Sequence, residues 1–200
     1  MLITFEGIES SGKSTLSKKL VEYFKIKNKD VIWNREPGGT ELGEKIRELL
    51  LGNYKICHVS EALLFAASRA QLIEEIIKPN KDKIIILDRF VDSSIVYQGY
   101  ARELGWKEVF EINKHALDGI MPDLTIVVDV NVETSFERMK NKNKDRIESE
   151  GREFFEKARE GFLKLKEWFP ERNIEYISGE NTLDVEYNEL IAIINKYVNI

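Results

Sequence analysis

A single α/β domain, with a five-stranded parallel sheet and helices on both faces, is predicted by three observations on this 200-residue chain. Short apolar runs alternate with longer stretches of helical spacing. The central runs are apolar at nearly every position, not at every second one. A glycine-bearing octapeptide joins the first run to the first helical stretch. Alternation makes successive strands parallel, because a crossover helix returns the chain to the same end of the sheet. Strands covered on both faces have no solvent side, which removes the polar half of the usual alternation.

The elements follow in order. Leu2-Ile3-Thr4-Phe5 reads as the first strand, and Lys13 to about Lys27 as a helix with Leu16, Leu20 and Phe24 on one stripe. Val31–Arg35 is the second strand, ended by the turn Pro37-Gly38-Gly39. Lys83–Asp88 and Leu124–Asp129 are the continuous apolar third and fourth strands, and Ile174–Ile177 is a shorter fifth. Helical spacing fills about 42–51, 60–78, 104–118, 132–140, 149–168 and 183–198. Within 149–168 and just beyond, Phe155, Ala158, Phe162, Leu165 and Phe169 form a core-facing stripe. On 60–78 the apolar stripe is Leu63, Ala66, Ala70, Ile73 and Ile77.

Composition narrows the class. With 42% hydrophobic and 32% charged residues the chain can bury one sizeable core, so residues 1–200 are read as one domain. A net charge of −5 speaks against general nucleic-acid binding. Cys57 is the single cysteine, which excludes an internal disulfide and fits a reducing, cytoplasmic setting. The first strand starts at once, leaving no room for a signal peptide, and no apolar run reaches the length of a membrane span.

Gly7-Ile8-Glu9-Ser10-Ser11-Gly12-Lys13-Ser14 satisfies the pattern G-x-x-x-x-G-K-[ST] between a strand and a helix. That context aims backbone N–H groups at a polyphosphate, with Lys13 reaching the β- and γ-phosphates and the Ser14 hydroxyl available to Mg²⁺. A nucleoside triphosphate is the implied ligand, held by residues 7–14 and the adjoining Thr15. Ligands of such sheets bind beyond the carboxyl ends of the strands, where this loop, Arg35, Asp88-Arg89 and Asp129 all fall. Asp88 can hold Mg²⁺, cap the next helix or pair with Arg89. Arg35 and Arg89 each offer a planar fork suited to phosphate oxygens. One triphosphate has no evident need of both, so a second phosphate is expected beside the first.

Several segments resemble thymidylate kinases in order and spacing: residues 5–14, Arg35-Glu36-Pro37-Gly38-Gly39-Thr40, Leu63 to Arg69, Asp88-Arg89-Phe90, Ser93-Ser94 through Tyr97-Gln98-Gly99, and Pro122-Asp123-Leu124-Thr125. The resemblance spans essentially the whole chain. It implies a phosphate-loop kinase fold, transfer of the ATP γ-phosphoryl group to dTMP, a requirement for Mg²⁺, and a homodimer through the helices around 60–78 and 104–118.

By the same resemblance Arg35 and Arg89 hold the dTMP phosphate, Phe65 stacks on the base and Arg69 bonds its carbonyl edge. Tyr97 packs beneath the deoxyribose, Gln98 and Ser94 lie near the base, and Glu9 contacts the 3′-hydroxyl. Phe65 and Arg69, at i and i+4, share a helix face; plain core packing is the other reading of Phe65. The acceptor phosphate, with a second pKa of about 6, needs no general base. Catalysis then rests on Lys13, Arg89, Mg²⁺ and a mobile cationic lid over 138–147, whose basic residues are Arg138, Lys140, Lys142, Lys144 and Arg146. The phosphate loop has no arginine, Ser10 standing where part of the family has one, so the lid is expected to supply the cation, Arg146 before Arg138. The alternatives are a kinase for another nucleoside monophosphate, or a phosphate-loop ATPase switch without a small acceptor. The switch would leave Arg35, Arg69 and Tyr97-Gln98 without a use.

Overall fold

The computed structural model describes residues 1–140 and 145–198. Its strands are β1 (Leu2–Glu6), β2 (Val31–Arg35), β3 (Ile84–Asp88), β4 (Leu124–Asp129) and β5 (Ile174–Ser178). They form one parallel sheet in the order β2-β3-β1-β4-β5. The register aligns the carboxyl ends: Arg35 stands level with Asp88, Asp88 with Phe5, and Phe5 with Ile126. β1 is central, and the chain leaves it for β2 on one side and later crosses it to reach β4. The crevice beyond its carboxyl end is therefore the switch point at which such sheets bind ligands.

The helices are α1 (Lys13–Ile26), α2 (Glu41–Leu51), α3 (His58–Leu72), α4 (Val91–Ser94), α5 (Trp106–Leu117), α6 (Val132–Met139), α7 (Arg152–Trp168) and α8 (Leu183–Tyr197). Alternate strand residues serve opposite layers. Ile3, Phe5, Ile86, Ile126 and Val128 pack with Leu16, Leu20 and Phe24 of α1 and Leu190 and Ile194 of α8. Leu2, Ile85, Leu87 and Val127 meet the other layer, which includes the α7 stripe from Phe155 to Phe169, buried as the spacing predicts. Each such fully buried aliphatic or aromatic side chain contributes roughly 1.5–3 kcal/mol.

Two local departures from the predicted elements concern the site. α3 continues as a π-helical turn over Ile73–Ile77, and α4 as another over Ile95–Ala101. No helix was expected at 91–101. The inward face of α3 also differs from the expected stripe. Ala66, Ile73 and Ile77 are buried, but Leu63 is 52% exposed and Ala70 is exposed, while Glu61 and Arg69 point inward. Two buried ionic side chains with partners have displaced the apolar positions from the inner face.

Candidate active site

The phosphate loop needs its glycines for different reasons. Gly7 has φ +136°, and a Cβ there would lie 2.4 Å from the Val128 carbonyl oxygen, so no other residue fits. Gly12 has φ +104°, and a Cβ there would meet only Glu186 Oε2 at an ordinary 3.7 Å; its requirement is conformational. As N-cap of α1 it carries no side chain, no acid follows in the first turn, and no side-chain hydrogen bond caps the helix. α2 and α6 differ: Thr40 and Asn131 accept hydrogen bonds from the Gly43 and Thr134 N–H groups. The start of α1 thus keeps its N–H groups and positive dipole end available to an anion.

Lys13 is buried, donating to the Ile8 carbonyl at 3.0 Å. Burial, with Arg89 adding like-charge repulsion, lowers its pKa to about 8. The Ser14 hydroxyl donates to the Asp88 carboxylate. This hydroxyl–carboxylate pair is the hard-oxygen donor set that suits Mg²⁺, the remaining positions being left to water and phosphate. Among the described residues no group of three or more acidic, histidine or cysteine side chains forms an all-protein metal cage.

Arg89 follows β3 with φ +72°, a left-handed conformation that costs a non-glycine residue on the order of 1–3 kcal/mol. Its backbone N–H is fixed by the Phe5 carbonyl at 2.9 Å. Its guanidinium donates to the Gly7 carbonyl at 3.1 Å, the Ser93 hydroxyl at 3.0 Å and Glu9 at 2.8 Å. Glu9 also accepts from the Tyr97 hydroxyl at 2.6 Å. Behind them Glu6, wholly buried, accepts from the Phe90 N–H at 2.8 Å and the Ser93 hydroxyl at 2.6 Å. Burial, then Asp92, raises the Glu6 pKa to about 8. Glu6 therefore holds Arg89 in place through Ser93, a supporting role the sequence reading had not assigned.

A cavity of about 720 Å³ gathers most of the expected site. Glu9, Ser10, Gly12, Lys13, Ser14, Thr15, Arg35, Phe65, Asp88, Arg89, Ser94, Tyr97 and Gln98 line it. Gly7, Ile8 and Ser11 lie on the inner side of the loop and shape it. Arg35 donates through Nη2 to both Glu44 oxygens, at 3.1 and 3.2 Å, and through Nη1 to the Pro37 carbonyl at 3.4 Å. Arg47 of α2 also reaches the cavity, bonded to the Pro37 carbonyl at 2.9 Å. In the sequence it looks like one more solvent-facing charge on an amphipathic helix.

Three expected residues stand elsewhere. Arg69 is 1% exposed and does not line the cavity; its guanidinium is spent on Glu36, Asn113, the Phe90 carbonyl and Ser94. It braces the wall from behind instead of presenting its fork. Asp129 is held by Arg159 at 2.7 and 2.9 Å, outside the cavity. Arg146 donates through Nε to the Leu50 carbonyl at 2.8 Å and ion-pairs with buried Glu61 at 2.6 Å, away from the phosphate loop. Arg138, ranked below it on sequence, donates to the Ser10 carbonyl at 3.2 Å and the Gly179 carbonyl at 2.8 Å and lines the cavity. Of the two arginines it is Arg138, not Arg146, that lies against the phosphate loop. Lys142 and Lys144 lie outside the described residues.

The sequence pattern of thymidylate kinase matches residues 5–187. The chain belongs to the thymidylate kinase family. The thymidylate kinase of Fervidobacterium nodosum is 47% identical over 200 residues, covering 99% of this chain and 100% of that one. That of Thermosipho africanus is 47% identical over 201 residues, covering 99% of each. The fold agrees: the crystal structure of thymidylate kinase from Ehrlichia chaffeensis superposes with a TM-score of 0.80 at 34% identity, covering 98% of both chains.

Proposed function

We propose that this thymidylate kinase family member transfers the γ-phosphoryl group of ATP to dTMP, giving dTDP and ADP. The observation that carries the reading is one continuous cavity that holds the phosphate loop at one part of its wall and Arg35, Phe65, Arg89, Tyr97 and Gln98 at another. Donor and acceptor can therefore meet without crossing solvent.

In this reading the loop N–H groups and Lys13 hold the triphosphate. Arg35 and Arg89 hold the acceptor phosphate, and Glu9, shared by Arg89 and Tyr97, meets the sugar hydroxyl. Tyr97 fills the space beneath the sugar, which disfavours a ribose 2′-hydroxyl. Phe65 stacks on the base, with Gln98 and Ser94 beside it. Ser14 and Asp88 would hold Mg²⁺, which when bound would neutralise phosphate charge. No side chain need remove a proton, because the acceptor oxygen is largely ionised at neutral pH. The chain's work is alignment of two polyanions and neutralisation of their repulsion. Arg138, beside Ser10, is the cation that serves the transferring group. The single exposed Cys57 fits a cytoplasmic enzyme, and the exposed apolar residues of α3 fit a homodimer.

A coupled ADP-release assay with dTMP, dUMP, UMP, CMP, AMP and GMP tests the assignment. dTMP should lead, with dUMP slower by the ~1–3 kcal/mol that one methyl group supplies, and UMP far behind. Comparable efficiency with CMP or AMP would defeat it.

A further inference from the structure

Glu61 is a fully buried carboxylate that no step above uses. It sits near the start of α3, four residues before Phe65, which lines the cavity. Its Oε1 accepts from the Gln98 side-chain nitrogen at 2.8 Å and from Arg102 Nε at 3.2 Å. Its Oε2 faces Arg146 at 2.6 Å and Arg102 Nη2 at 3.4 Å. Two guanidinium groups keep it ionised, and an ionised carboxylate can only accept. An amide can be turned either way about its last bond, and its neighbours decide which. Here only one way is compatible with Glu61: nitrogen inward. The opposite way would set carbonyl oxygen against carboxylate oxygen in a dry site. Gln98 is 1% exposed, lines the cavity, and its amide oxygen accepts no hydrogen bond among the described residues.

We propose that Glu61 is a positioning residue that locks the Gln98 amide with its carbonyl oxygen toward the cavity, so that the acceptor site takes a pyrimidine bearing a ring N–H and refuses one bearing a ring-nitrogen lone pair. This deepens the acceptor reading above and rests on Gln98 lying beside the base. Thymine and uracil carry an N–H between their two carbonyl groups, whereas cytosine presents an acceptor at the same ring position. A fixed carbonyl oxygen bonds the first and repels the second. A site built around one hydrogen bond discriminates strongly against an analogue that cannot make it.

The test is Glu61→Gln, with kcat/KM measured for dTMP and for 5-methyl-dCMP, which retains the methyl group and sugar. A neutral amide at 61 can donate as well as accept, so Gln98 becomes free to turn. The dTMP preference should narrow at least tenfold, through a gain with 5-methyl-dCMP as well as a higher KM for dTMP, with the KM for ATP little changed. A merely structural role would lower both acceptors together. If Glu61→Gln alone fails to fold because Arg102 is left undercompensated, the pair Glu61→Gln/Arg102→Met carries the same readout. Arg102→Met by itself should keep the wild-type ratio. An unchanged ratio in the Glu61 variants, a uniform loss, or an equal relaxation in Arg102→Met would overturn the inference while dTMP turnover by the wild type stood. Failure of the wild type to use dTMP would instead remove the acceptor reading beneath it.

Discussion

Arg138 and Arg146 bound the same basic stretch but are committed differently. Moving Arg146 toward the loop would strip a guanidinium from buried Glu61, whereas Arg138 already touches the loop at the Ser10 carbonyl, a neutral acceptor that a phosphate can replace. An arginine serving a transferring phosphoryl group is worth about 10³-fold in turnover. Arg138→Lys should therefore lower kcat by a factor on the order of 10² to 10³ with dTMP affinity little altered, and Arg146→Lys should keep kcat near the parent value. Steady-state kinetics of the two variants checks this, and the reverse pattern would return the role to Arg146. Lys13 gives a pH signature. Burial places its pKa at about 8, so in the free protein the ammonium is lost as pH rises through that value. kcat/KM for ATP should fall above pH 8, while kcat at saturating ATP holds to higher pH, because bound phosphates favour the charged form. A flat kcat/KM profile from pH 7 to 9.5 would count against it. The residue types were legible because the phosphate loop and the strand-end arginines lie in short contiguous motifs. Which arginine lines the cavity was not: Arg69, Arg138 and Arg146 are told apart by partners drawn from distant segments, Glu36, Ser10 and Glu61.

At the scale of elements, strands and long helices were readable from periodicity, and 91–101 was not. Its sequence, VDSSIVYQGYA, mixes β-branched residues, two serines and a glycine, and has low intrinsic helix preference. Tertiary packing supplies what propensity lacks: the segment lies against α5 and α7, and Gly99 lets the Trp106 backbone approach so closely that a Cβ would come within 2.8 Å of its Cα. That irregular helix puts Tyr97 and Gln98 on the cavity side. α3 was readable as a helix but not in its orientation, since its inner face carries Glu61 and Arg69. Its outer face is left with Val59 and Leu63, 51% and 52% exposed. If this face forms the homodimer contact, Leu63→Glu should yield a monomer by light scattering at the concentration where the parent is a dimer, with the fold intact by circular dichroism. A parent that is monomeric at micromolar concentration would contradict that assembly.

Over the whole molecule, the parallel sheet sends every chemistry-bearing segment to one edge. β1 delivers the phosphate loop, β2 delivers Arg35, and β3 delivers Asp88 and Arg89; the register sets Phe5, Arg35 and Asp88 level. The cavity wall holds five cations, Lys13, Arg35, Arg47, Arg89 and Arg138, and six acids, Glu9, Glu36, Asp88, Asp145, Glu148 and Glu186, so its cations are ordered by partners and not gathered into a net positive patch. Acids interleave with these cations, Glu9 on Arg89 and Glu44 on Arg35, and keep them aligned before ligand arrives. The central claim is that this one cavity joins donor and acceptor and does not simply hydrolyse the donor. The measurement that tests it most directly is phosphorus NMR of the wild-type protein with ATP, Mg²⁺ and dTMP. One dTDP should appear for each ADP, with negligible inorganic phosphate and no turnover when dTMP is omitted. Inorganic phosphate released at the same rate with or without dTMP would contradict the account.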